Sequence, residues 1–221
     1  MKTFLVIILA LVLALASAIS VSAAPIVFYL DTLPSGTVEK DGHAFVNGED
    51  DINVTILSGG TMFGKYKVGA EYGVGKIEAD SGDEDLSLWG LKGGYRFYDA
   101  RATKLDAMLV LMNITTESKG KENELNGTLV GLDFTQYFSE KVFISGSIVY
   151  AINGSYDYAT DKDNDASIAL YRLKFHYFIT EDLGVVLGYT DLGYEFKHSS
   201  LGGAAIDVAI TGLSLGALYK F

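Results

Sequence analysis

The sequence predicts an all-β protein: a closed, antiparallel, up-and-down transmembrane β-barrel of ten strands, with eight as the alternative if two weak segments do not span. Three observations predict it. The chain reads as long segments of two-residue hydrophobic period, separated by short breaks. After the first 23 residues no apolar run reaches the roughly 20 residues that a membrane helix needs, although 49% of the residues are hydrophobic. The breaks are of two kinds, short and aromatic-flanked or polar, and they alternate along the chain. A bilayer leaves helices or closed barrels as the only spanning structures, because each backbone N–H and C=O there needs an internal partner.

The N-terminal segment is expected to be removed. Lys2 gives a positive start, Phe4 to Ala16 is apolar, and Val21-Ser22-Ala23 offers small residues for cleavage after Ala23. Residues 1–23 therefore read as a secretory signal and 24–221 as one barrel domain. The spanning segments are then Thr37–Asn47, Asp51–Phe63, Tyr66–Ala79, Asp85–Tyr98, Lys104–Ser118, Glu124–Phe138, Val142–Tyr158, Asp165–Phe178, Leu183–Phe196 and Ala204–Phe221. Several exceed the roughly 9–11 residues that cross a bilayer at a tilt. The first is the weakest; it is required because a chain starting on the turn side needs an upward strand before Asp51.

Alternation is clearest where Tyr66, Val68, Ala70, Tyr72 and Val74 oppose Lys67, Gly69, Glu71, Gly73 and Gly75, and where Tyr171, Leu173, Phe175 and Tyr177 oppose Arg172, Lys174 and His176. Trp89 to Phe97 and Val142 to Ile152 behave likewise. The apolar face is expected to meet lipid and the polar face the lumen. After Asp106 the pattern weakens, with apolar residues on both faces up to Met112. The breaks at Gly64-Lys65, 99–103, Ser139 to Lys141 and 179–182 are flanked by aromatics, the expected interfacial girdle, and the opposite breaks are polar loops.

The C-terminal strand carries a resemblance. From Gly212 to Phe221, Leu213, Leu215, Ala217, Tyr219 and Phe221 share one face, while Gly212, Ser214, Gly216 and Lys220 share the other with Leu218 as the exception. This resembles the closing strand of bacterial outer-membrane β-barrels, and the chain is similar to the small OmpA/OmpX-like or porin-like members throughout its mature part. The resemblance implies export through the periplasm, residence in the outer membrane among its lipids, and recognition of Tyr219 and Phe221 by the barrel-assembly machinery. It also implies roles that run from structural anchoring through narrow porin-like passage of ions and small solutes to surface binding and a few hydrolases.

Composition narrows the partners. Seventeen Lys and Arg against 28 Asp and Glu leave −11 for the chain, which argues against nucleic acid. No cysteine is present, so thiolate metal sites and Cys nucleophiles are excluded. No cofactor is implied. Lys67, Glu71, Lys92, Arg96, Asp133, Arg172, Lys174 and His176 are the expected inward charges, lining a narrow pore or pairing into a plug.

His198 and Ser200 weakly resemble the His-x-Ser element of lipid A deacylases, but Leu201 stands where that family has Asn. An omptin-type protease would need an Asp–His pair facing an Asp pair; Asp83 and Asp85 could supply the latter, but no Asp-x-His exists and His43 lies on the weakest strand. Asp161 to Asp165 resembles half a calcium loop, with Ala166 and Arg172 in place of the required Gly and Glu. No specific metal site is expected, though the acidic loops 49–51, 83–85 and 161–165 could attract divalent cations. Four Asn-x-Ser/Thr triplets, beginning at Asn53, Asn113, Asn126 and Asn153, read as chance matches. A soluble lipocalin-like barrel is the minor alternative; its apolar residues would face inward.

Overall fold

The computed structural model describes residues 26–41, 48–79, 82–118, 120–158, 161–198 and 204–221, and only the backbone of residues 35, 48, 158, 161–163, 198 and 204. Among them ten strands form one closed antiparallel barrel in which each strand pairs with its sequence neighbours and the first pairs with the last. They are β1 (Val27–Asp41), β2 (Gly48–Phe63), β3 (Tyr66–Glu78), β4 (Glu84–Asp99), β5 (Thr103–Ser118), β6 (Lys121–Tyr137), β7 (Val142–Tyr158), β8 (Asp161–Phe178), β9 (Leu183–His198) and β10 (Ala204–Lys220). The signal segment lies outside the described residues.

Nine strands fall within a few residues of their expected positions. The first does not: it runs over Val27–Asp41 rather than Thr37–Asn47. Pro34 hid it. Proline has no N–H for the ladder and is tolerated in a sheet at bulges. The register of β1 against β10 shifts between Thr32 and Ser35, and that against β2 between Leu33 and Gly36. Beyond the bulge the pairing continues to Asp41, opposite Asp207.

The turns explain the hairpins. In the two-residue β2–β3 turn Gly64 has φ 61°, and a Cβ there would meet nothing within 4 Å. Only the backbone conformation therefore resists substitution. Gly64→Ala should cost about 1–2 kcal/mol, whereas Gly93→Ala, with equal space and ordinary φ, should be near neutral; equilibrium unfolding of both variants checks this. The β6–β7 and β8–β9 turns share one design. The Ser139 hydroxyl accepts the N–H groups of Lys141 and Val142 at 3.2 and 3.1 Å. The Thr180 hydroxyl accepts those of Asp182 and Leu183 at 3.3 and 3.0 Å. A short hydroxyl side chain can stand in for a backbone turn bond, which is why Ser and Thr open these turns.

The strands are 13 to 18 residues long, more than a bilayer requires, and they change character along their length. Toward the turns, apolar side chains point outward: Leu57, Leu91, Leu132, Leu173, Leu187 and Leu215 are exposed there. The inward side chains on that half are polar. Toward the loops the phase reverses. On β8 the apolar set passes from odd positions (Tyr177, Phe175, Leu173, Tyr171) to even ones (Leu170, Ile168), and the even set is buried. The same switch separates Leu215 and Leu213 from Ile206 and Val208 on β10, and Leu187 and Tyr189 from Leu192 and Phe196 on β9. The outward positions of the loop half are polar and exposed, including Asp51, Asn53, Thr55, Asp165, Ser167, Glu195, Lys197 and Asp207.

Apolar-outside belongs in lipid and apolar-inside in water. The switch occurs near the outward Tyr150 and Tyr171, whose hydroxyls are hydrogen-bonded to each other. It marks where lipid-facing surface ends and a water-facing extension of the barrel begins. This corrects the expectation of a polar inner face throughout. It also explains the weak pattern after Asp106, since inward Met108, Val110, Met112 and Ile114 are buried while outward Leu109 and Leu111 are exposed.

Candidate functional site

The lumen has two zones. In the loop half, Leu33, Val38, Ile52, Val54, Ile77, Leu125, Leu129, Val149, Tyr156, Ile168, Phe196 and Ile206 belong to one buried apolar cluster. Leu129 and Val149 are 0% exposed. Tyr156 and Phe196 pack with ring centroids 4.0 Å apart. The filling is that of a small soluble barrel.

The turn half holds a belt of charges. All eight inward residues expected from the sequence line one cavity of about 660 Å³. Glu71 on β3 accepts a bidentate pair from Arg172 on β8, at 2.7 and 3.1 Å. In a ten-strand ring these strands stand on opposite walls, so this pair spans the bore. Lys92 reaches the same carboxylate at 2.6 Å. Glu71 fits because Gly90 beside it has no side chain: a Cβ there would lie 3.0 Å from Glu71 Cγ. Lys67 bridges Asp133 at 2.6 Å and Asp106 at 3.7 Å. Arg96 donates to both oxygens of Asp106 at 2.8 and 3.3 Å. Lys174 on β8 pairs with Asp31 on β1, reaching past the two intervening strands β9 and β10.

Two carboxylates of the belt were not among the expected residues. Asp31 lies on β1 before Pro34, in sequence that gave no strand signal, and Asp106 sits at the point where alternation weakens. Both are buried, 3% and 2% exposed. The buried positions of both would follow from the sequence only if β1 were extended upstream and β5 kept in phase. With them, five cations (Lys67, Lys92, Arg96, Arg172, Lys174) face four carboxylates (Asp31, Glu71, Asp106, Asp133), an excess of one positive charge.

His176 is stacked on Phe143, with centroids 4.1 Å apart. Its Nε2 shares a hydrogen bond of 2.8 Å with the Ser145 hydroxyl. Its Nδ1 and the Oδ1 of Asp31 are buried without a hydrogen-bond partner. Near the turn end Tyr29 lies edge-on to His176, and Phe178 lies 6.0 Å from Phe143.

The other candidates are only partly covered by the described residues. The side chain of His198, all of Ser200 and all of His43 lie outside the described residues. Asp83 is exposed and faces Lys76 at 3.9 Å. Asp50 is paired with Lys40 at 2.9 Å. Among the described residues, no group of three or more His, Cys, Asp or Glu could hold a metal ion. Tyr219 and Phe221 form an outward aromatic pair 4.5 Å apart. The Phe221 N–H donates to the Ile26 carbonyl at 2.9 Å and its ring lies edge-on to Phe28, fastening the seam between the last strand and the first.

The architecture recurs among solved structures. The outer-membrane protease OmpT of Escherichia coli matches over 90% of this chain and 97% of its own, with TM-score 0.58 and 10% identity. The fold is that of an outer-membrane β-barrel. The neisserial surface protein NspA matches at TM-score 0.44 and 16% identity, over 89% of this chain and 97% of its own. The β-domain of the Bordetella autotransporter BrkA matches at TM-score 0.45 and 14% identity, over 90% and 99%. No protein-family model matches the sequence, and no curated protein matches it. At 10% identity the likeness to OmpT is one of fold.

Proposed function

We propose that this protein is a non-conducting structural barrel of the bacterial outer membrane. One observation carries the reading: the loop half of the lumen is packed with apolar side chains from all around the ring, with Val38, Leu125, Leu129, Val149 and Phe196 at most 4% exposed. Ions need a hydrated path, and a dry, close-packed constriction denies one. The ion-paired belt below holds opposite walls together, so its charges act as crossbars. The outward band would be solvated by outer-membrane lipid, and Tyr219 and Phe221 would serve the assembly machinery. Acidic outward residues such as Asp51, Asp85 and Asp207 would face the polar medium, where divalent cations could gather.

The test is conductance in a planar bilayer. The refolded wild-type protein should be inserted and silent. The triple variant Leu125→Ser/Tyr156→Ser/Phe196→Ser, which strips the apolar cap, should show discrete steps. Reproducible steps from the wild type would sink the reading and favour the narrow pore, in which Lys67, Lys92 and Arg172 would set ion selectivity.

A further inference from the structure

The cavity is larger than a structural crossbar needs. Its volume of about 660 Å³ lies within the roughly 300–1,000 Å³ range of small-ligand sites. Its lining begins at the turn end, with Met62, Glu140, Phe178 and Lys220, and passes the charged belt. It continues between apolar walls that include Ile56, Leu88, Met112, Leu170 and Leu192. Residues of the apolar cap, among them Leu125, Tyr156 and Phe196, lie beyond it. The space therefore has an opening at the turn end, a polar middle and an apolar inner end, which is the shape of an amphiphile entering tail first.

The belt selects the head group. It carries one excess positive charge. Lys67 and Lys92 are its most exposed members, with 33% and 27% of their side chains accessible, while among the carboxylates they hold Glu71 and Asp106 are buried and Asp133 is half-buried. Cations therefore outnumber carboxylates along the cavity wall, with Glu140 adding an exposed carboxylate at the turn end. Two buried, unpaired polar atoms belong to side chains that line the cavity: Asp31 Oδ1, which only accepts and offers an anion nothing, and His176 Nδ1, which can donate. Buried polar atoms left unpaired cost about 1–3 kcal/mol each. If the Ser145 hydroxyl donates to Nε2, the proton sits on Nδ1, which then donates to an anionic oxygen.

We propose that the cavity is a binding site for a single-chain anionic amphiphile of the long-chain carboxylate class. Its carboxylate sits in the belt beside Lys67, Lys92 and His176, and its chain runs along Ile56, Leu88 and Leu170. Neighbouring outward residues provide an internal control, since Leu57, Leu91 and Leu173 face the opposite side of the same strands and meet bulk lipid. The inference shares with the structural-barrel reading only the closed loop end. Conductance would overturn that reading, and the experiment below decides this one separately.

A long-chain fatty acid bearing a diazirine near its methyl end is added to the refolded mature protein in lipid vesicles, photolysed, and the adducts are mapped by peptide mass spectrometry. Adducts are expected on Ile56, Leu88 and Leu170 as well as on the lipid-facing Leu57, Leu91 and Leu173. Excess unlabelled fatty acid should remove the inward set alone. The methyl ester of the same probe should label the inward set roughly tenfold less, the loss of one charge-assisted contact, and the outward set equally. Lys67→Gln/Lys92→Gln should reproduce the ester's result. Because that variant strips three ion pairs, the ester on the wild type provides the mutation-free arm. Adducts confined to outward residues, or inward labelling equal for acid and ester, would overturn the proposal.

Discussion

Glu71→Ala should be the most damaging single truncation in the lumen, destabilising the barrel by about 3–5 kcal/mol. The carboxylate is 6% exposed and holds Arg172 bidentately from the opposite wall together with Lys92. Removing it leaves two cations in the belt with no carboxylate to replace it: Asp31, Asp106 and Asp133 are engaged with Lys174, Arg96 and Lys67. The penalty arises from the stranded charges more than from the lost attraction, because a buried ion pair barely repays its own desolvation. The double variant Glu71→Leu/Arg172→Met should therefore be less destabilised than Glu71→Ala alone. Urea-induced unfolding of the refolded protein in vesicles measures both. Near-equal stability of Glu71→Ala and wild type would show that the belt is hydrated well enough for water to replace the carboxylate.

Leu215→Arg should cost about 2–4 kcal/mol, and Asp207→Arg on the same strand should stay within about 0.5 kcal/mol of wild type. Both side chains point outward and both are exposed. They differ in height. Leu215 pairs with Leu187 within the lipid-facing band, whereas Asp207 pairs with Glu195 on the polar extension. An arginine in the band must leave water for hydrocarbon; an arginine on the extension remains in water and gains an acidic neighbour. The same vesicle titration applies. Equal tolerance of both substitutions would end the membrane assignment and revive a soluble barrel, for which the outer face is wet along its whole length. Equal damage would instead mean that lipid covers the full strand and that the phase switch has some other origin.

The strands were legible because a sheet with one face in lipid forces a period of two over long segments, and nine of the ten announced themselves that way. Aromatic pairs flanking the short breaks placed the turns. β1 escaped because Pro34 breaks its alternation, and only its ladder partners on β2 and β10 show that the chain continues through a bulge. The inward direction of Lys67, Glu71, Lys92, Arg96, Asp133, Arg172, Lys174 and His176 followed from parity alone. Parity also contained the switch between Leu170 and Tyr171, but a change of phase within a strand has no meaning until the height of the lipid band is known.

By itself the sequence determined an antiparallel barrel with a lipid-facing band, the sites of its turns, and the inward direction of eight of the ten residues of the belt, Asp31 and Asp106 being missed. It could do so because each rests on contacts between neighbours along one strand or across one hairpin. Tertiary structure alone decided which charges meet. Glu71 and Arg172 are 101 residues apart and Lys174 and Asp31 are 143 apart; they touch because closing the ring brings β3 opposite β8 and sets β1 three strands from β8, both within reach of two side chains. Closure likewise turned scattered apolar residues of ten strands into one dry cap and left a cavity beneath it, since a bore exists only once the last strand has paired with the first.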